Sequence, residues 1–116
     1  AKVDDFQEQF LFYSVFPVTI PAHCRAQLAE FCVRANFGTV IGNFELAIET
    51  GTLRYKTSID VYGSVLEIEM IRQLIETNLS MVDQYWPALM QLIYGGVSPV
   101  DALKSLEETS LEEIAA

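Results

Sequence analysis

The sequence predicts an α+β domain built from an antiparallel sheet with helices packed on one face. Three features lead there: an alternating hairpin from Gly42 to Val61, a β-rich run from Gln9 to Thr19, and two helical periodicities that flank the hairpin. At 116 residues the chain is one domain, able to bury roughly two thirds of the surface of its unfolded chain.

The first strand is read over Gln9 to Thr19, where aromatic and β-branched residues crowd together. It is apolar on both faces: Phe10, Phe12 and Phe16 point one way, Leu11, Tyr13 and Val15 the other. A half-buried antiparallel strand alternates apolar with polar residues. The second face therefore requires a cover, from a further element, an N-terminal segment or another chain. Pro17 limits ladder pairing at the strand's end.

Pro21 opens the first helix, with Cys24, Leu28, Phe31, Cys32 and Ala35 on its apolar side and Gln27, Glu30 and Arg34 opposite. Asn36 and Gly38 tolerate the left-handed conformation and are expected to end it after about fourteen residues.

In the hairpin, Phe44, Leu46 and Ile48 share one face of the first arm; Leu53, Tyr55, Thr57, Ile59 and Val61 share one face of the second. Pairing Glu49 with Thr52 sets Ile48 opposite Leu53, Leu46 opposite Tyr55, Phe44 opposite Thr57 and Glu45 opposite Lys56. Glycine second in a two-residue Thr50-Gly51 loop suggests a type I′ turn. That would force Thr50 to positive φ, so a four-residue loop of the same parity remains equally open.

Tyr62-Gly63-Ser64 is read as a turn, and a long helix starts near Leu66 with the stripe Ile71, Leu74, Ile75, Val82, Trp86, Leu89 and Ile93. Asn78 falls on or beside that stripe, as a core amide bonded to a backbone carbonyl. Pro87 is expected to kink or break the helix, and Gly95-Gly96 to end it. A last short helix has Ser98 as N-cap, Pro99 first and Asp101 third. Beyond Glu108, TSLEEIAA reads as a frayed acidic tail.

Sixteen Asp and Glu against seven Lys and Arg give a formal charge of −9, which repels phosphate backbones and anionic lipid and argues against nucleic acid as partner. The longest apolar runs, such as Phe10 to Tyr13, fall far short of the ~20 residues that span a bilayer. The acidic start Ala1-Lys2-Val3-Asp4-Asp5 lacks the apolar core of a signal peptide. Cys24 and Cys32 sit eight residues apart in one helix, about 12 Å along its axis, too far for a disulfide. They read as buried thiols of a cytoplasmic protein.

No motif assigns a catalytic, cofactor or metal site. His23, the only histidine, lies in the first helical turn with no orienting partner placed by motif, and reads as solvent-exposed. No phosphate-binding glycine loop is present. Met70, Met81 and Met90, with Tyr85, Trp86 and Tyr94, run along the long helix. They read either as core filling or as a groove for a partner's helix or extended segment.

FLFYSVFPVTIP, then RANFGTVIGNFELAIETGTLRYKTSID, then the stretch from Asn78 through Met81, Asp83, Tyr85 and Pro87 to Tyr94-Gly95, and finally SPVDAL, resemble the YbjN family of bacterial proteins, most closely its cyanobacterial-type members. The resemblance covers Phe10 to Leu103. It implies a fold similar to type III secretion and Tir chaperones, commonly dimeric, with no established catalytic residues. Family members usually carry a helix and one or two strands before this first strand, where only nine residues precede Phe10 here.

Together these readings lead to a non-enzymatic protein-interaction module, a homodimer binding a partner or client without cofactor or metal. Leu11, Tyr13, Val15, Met81 and Tyr85 are its candidate contact residues. The alternative is a small-molecule-binding or enzymatic pocket near Tyr85, Trp86 and His23.

Overall fold

The computed structural model describes residues 2–4, 9–39, 41–60 and 67–106. Strand β1 is Lys2–Asp4, β2 Gln9–Thr19, β3 Asn43–Ala47 and β4 Thr52–Asp60; helix α1 is Arg25–Gly38 and α2 Ile68–Gly95. A 3-10 turn, Ala22–Cys24, leads into α1, and a short helix α3 begins at Pro99 and runs over 99–106. The expected end of the hairpin at Val61, the Tyr62-Gly63-Ser64 turn, the helix start at Leu66 and the tail beyond Glu108 lie outside the described residues.

The predicted architecture holds. The four strands form one antiparallel sheet in the order β1-β2-β4-β3, and the helices cover one face of it. The sequence reading lacked β1, whose three residues are too short to show an alternation. β1 extends the sheet beside β2, pairing Lys2 with Leu11, Val3 with Phe10 and Asp4 with Gln9.

The inner face carries Phe10, Phe12, Ser14 and Phe16 from β2, with Leu53, Tyr55, Thr57 and Ile59 from β4 and Phe44 and Leu46 from β3. Its centre is aromatic. The Phe44 ring lies 4.8 Å from Tyr55, 5.0 Å from Tyr85, 6.1 Å from Phe31 and 6.2 Å from Phe16, centroid to centroid. Offset and edge-on contacts of this kind add to the area that the rings bury. Cys24 and Cys32 are buried free thiols in the same core.

The hairpin keeps its predicted parity but not its predicted register. Ala47 faces Thr52, Leu46 faces Leu53, Phe44 faces Tyr55, and Glu45 faces Arg54 rather than Lys56, a shift of two residues. The reason is a four-residue turn, Ile48 to Gly51, built around Arg25. The Arg25 guanidinium donates to the carbonyls of Ile20 (2.9 Å), Ile48 and Glu49 (3.2 Å each) and Thr50 (3.3 Å). Ile48 is thereby held in the turn and exposed. Gly51 closes the turn at φ 77°, where a Cβ would sit 2.5 Å from the Ile20 carbonyl oxygen.

Pro17 marks a bulge. Pairing with β4 moves from Val15–Arg54 to Thr19–Thr52, so three residues of β2 face Leu53 alone, and the missing N–H of Pro17 falls inside this irregularity. Asn36 does not end α1 by a left-handed turn; it stays helical, and Thr39 leaves the helix in extended conformation. α2 passes through Pro87 without breaking and stops at Gly96, φ 66°, where Val97 N–H reaches the Gln91 carbonyl at 3.2 Å. Ser98 caps α3 as expected, its Oγ accepting from Asp101 N–H at 3.1 Å.

Candidate partner-binding groove

Asn78 fixes α2 on the sheet. Fully buried, its amide donates to the carbonyls of Tyr55 (3.0 Å) and Phe12 (3.2 Å) and to Thr57 Oγ1 (3.3 Å), while Ser14 Oγ donates to its Oδ1. Thr57 Oγ1 in turn donates to the Leu74 carbonyl at 3.2 Å. The core amide expected from the sequence is therefore present, and it sets the rotation of α2. With that rotation fixed, Met70, Leu74, Thr77, Met81 and Tyr85 line one side of a groove.

The opposite wall is the connection between α1 and β3. Gly38, Thr39 and Ile41 stand there, and Ser58 and Ile59 of β4 close one end. Two open clefts of about 420 and 370 Å³ share Ile41 and Thr77 and so run into each other along α2. The wall is pinned rather than loose. Tyr55 Oη donates to the Ile41 carbonyl at 2.7 Å, Thr39 Oγ1 bonds the carbonyls of Asn36 and Gly42 at 3.1 Å each, and Gly42 at φ 81° lies so close to β4 that a Cβ would meet the Lys56 carbonyl at 2.6 Å. Burial pushes the Tyr55 hydroxyl up to about 12, helped by the neighbouring Tyr85, so it remains a neutral donor.

Of the residues lining the two clefts, Glu76 alone is charged; Thr39, Ser58, Gln73, Thr77, Gln84 and the Tyr85 hydroxyl are neutral and polar, and the rest is apolar. Such a lining suits side chains of another molecule. Among the described residues no group of three or more His, Cys, Asp or Glu is gathered to hold a metal ion.

The five residues predicted from the sequence divide between two surfaces. Met81 and Tyr85 lie together in the groove, half-buried, with the Tyr85 ring anchored edge-on against Phe31 and Phe44. Leu11, Tyr13 and Val15 lie on the outer face of the sheet. That face is less apolar than the strand alone suggests: Arg54 sits 4.2 Å from the Tyr13 ring centre, and Glu45 receives both Arg54 (2.6 Å) and Lys56 (3.2 Å). Glu45 loses some hydration there, but bonds and charge from Arg54 and Lys56 outweigh that loss and hold its carboxyl below the usual range.

The alternative pocket of Tyr85, Trp86 and His23 is not assembled in the clefts that Tyr85 lines. Trp86 stacks on Phe16 at 5.9 Å with rings nearly parallel, and His23 is exposed in the 3-10 turn before α1. Sequence reasoning missed Phe37, 95% exposed beside the Gly38 wall, and Val33, 70% exposed one turn before it. Their spacing of four on the side of α1 away from Leu28, Phe31 and Cys32 was the available signal. α1 is apolar on both sides, not amphipathic.

A helix-on-sheet α+β module with a pinned apolar groove is thus the class that the geometry defines. The model of the YbjN family, described as "Putative bacterial sensory transduction regulator", matches residues 3–91, and the chain belongs to that family. No curated protein and no solved structure matches it.

Proposed function

We propose that this YbjN-family protein is a cytoplasmic interaction module that performs no chemical step and holds an amphipathic helix of a partner protein in the groove between α2 and the α1–β3 connection. The observation that carries this reading is the row of Met70, Leu74, Met81 and Tyr85 along α2, with Thr77 at its middle and Gln73, Glu76 and Gln84 beside it, faced by the exposed Ile41. The fifteen residue-to-residue rises from Met70 to Tyr85 span about 22 Å, the length of four helical turns. Helix-in-groove binding uses anchors at such i, i+4, i+7 spacings. Charge adds the chemistry of the partner: the protein carries −9, and no Lys or Arg lines the groove. A helix with Lys or Arg flanking Leu, Ile or Met anchors complements it.

A second observation supports pairing of two copies through the outer face of the sheet. Val15 is 61% exposed there, and Glu45 stands between Arg54 and Lys56, so a two-fold contact would bring acid to base in both directions.

A photo-cross-linker placed at Thr77, with Met81→Glu as the blocked control, tests the groove. We expect the wild-type protein to cross-link, in native lysate, to a peptide with apolar residues at helical spacing and adjacent basic residues, and the Met81→Glu protein, folded by circular dichroism, to lose that adduct. The same adduct from both proteins overturns the assignment, and an adduct restricted to small molecules transfers the groove to ligand binding.

A further inference from the structure

The edge of the sheet at β3 carries a device that the interaction reading does not require. An exposed edge strand presents unpaired N–H and C=O groups every second residue and invites another strand. On β3 those of Phe44 are occupied. Phe44 N–H donates to Asn36 Oδ1 at 2.7 Å, and Asn36 Nδ2 donates back to the Phe44 carbonyl at 3.0 Å, with Asn43 Nδ2 a further 3.4 Å contact. This is the two-bond exchange that a residue of a neighbouring antiparallel strand makes. It also shows which way the groups of Phe44 point: away from β4, leaving Glu45 to exchange bonds with Arg54. Two residues earlier, with the same outward parity, the Gly42 carbonyl accepts from Thr39 Oγ1 at 3.1 Å.

We propose that Asn36 is a strand mimic that locks the β3 edge, and that the edge it withholds is an acceptor for β3 of a second copy of this chain. The geometry makes the lock depend on a single side chain. Asn36 is held in the last turns of α1, and its planar amide supplies one acceptor and one donor at the spacing of a peptide group. With it in place, the remaining outward pair belongs to Leu46, and one residue cannot hold a strand. Without it, Phe44 and Leu46 together offer two such pairs. The strand that fits best is another β3: antiparallel pairing about a two-fold would lay the apolar inner face, Phe44 and Leu46, beside its own copy.

Amide hydrogen exchange tests the lock in the unaltered protein. The Phe44 N–H is expected to exchange at least tenfold more slowly than the Leu46 N–H; equal, rapid exchange at both overturns the lock. Asn36→Ala tests the acceptor. Light scattering should show a concentration-dependent doubling of mass over the wild-type state, with the Leu46 N–H gaining protection as the concentration rises. Wild-type mass at every concentration, or doubled mass with Leu46 still unprotected, overturns strand addition. Should Asn36→Ala fail to fold, Asn36→Asp retains the acceptor for Phe44 N–H while losing the donor to its carbonyl. It is read by the same two measurements.

Discussion

At the scale of single residues, the buried polar network is where stability is most exposed to change. The Asn78 amide is engaged at both ends, accepting from Ser14 and donating to the Phe12 and Tyr55 carbonyls. Asn78→Leu restores apolar volume but leaves the Ser14 hydroxyl without its acceptor and takes the side-chain donor from two carbonyls of the β2–β4 ladder. It should cost about 2–4 kcal/mol in chemical denaturation, more than a volume-matched swap in the apolar core. Asn78 was legible in the sequence as an interruption of an apolar stripe; its partner Ser14 was not, because only the β2–β4 register brings a serine from the first strand beneath a helix sixty-four residues away. The titrating core groups add a pH dependence. Burial pushes Cys32 up to about 12, and Tyr55 likewise to about 12, so both keep their protons in the fold at pH values where the unfolded chain loses them. The folded state then binds more protons, and stability falls as pH rises. Above neutral pH, thermal unfolding should hold level to about pH 9 and decline between 9 and 12; Cys32→Ala should move the start of that decline toward 10, where Tyr55 alone remains.

At the scale of elements, the hairpin shows what alternation can and cannot specify. Period-two patterning fixed which residues of β3 and β4 face inward, because a one-residue slip would expose Phe44, Leu53 and Tyr55 together. A two-residue slip leaves those faces intact, so pattern alone does not distinguish Glu45–Lys56 from Glu45–Arg54. The turn decides, and Arg25, from another element, decides the turn. Arg25→Ala removes the donors to the carbonyls of Ile20, Ile48, Glu49 and Thr50, some of them solvent-exposed, and should lower stability by about 1–3 kcal/mol. Arg25→Lys should recover less than half of the loss in the same denaturation experiment, since an ammonium cannot reproduce the planar fork. The stacking of α2 on the strand is a separate, weaker link. Trp86 is half-buried against Phe16, so Trp86→Ala should cost about 2 kcal/mol, below the range for a fully enclosed aromatic residue.

At the scale of the whole molecule, the described helices lie on one side of the sheet and no described element covers the other, so the two surfaces proposed for contact stand apart. The sequence showed the ingredients of both: Met81 and Tyr85 on one helix face, Leu11, Tyr13 and Val15 on one strand face. It did not show that a full layer of sheet separates them, nor that Arg54 would lie over Tyr13, because both depend on which face of β2 the helices choose. This changes how the outer face should be tested. A carboxylate at position 13 would be met by Arg54 and Lys56 and partly neutralised; Tyr13→Lys instead places a third cation beside those two, around the single Glu45. If two copies pair through this face, Tyr13→Lys should halve the mass measured by light scattering while leaving the Thr77 cross-link in the groove unchanged. Met81→Glu should do the reverse, abolishing the cross-link at constant mass. Each variant serves as the folded control for the other, and a loss of both properties from either change would mean that the two surfaces are coupled through the β2–β4–α2 contact centred on Asn78.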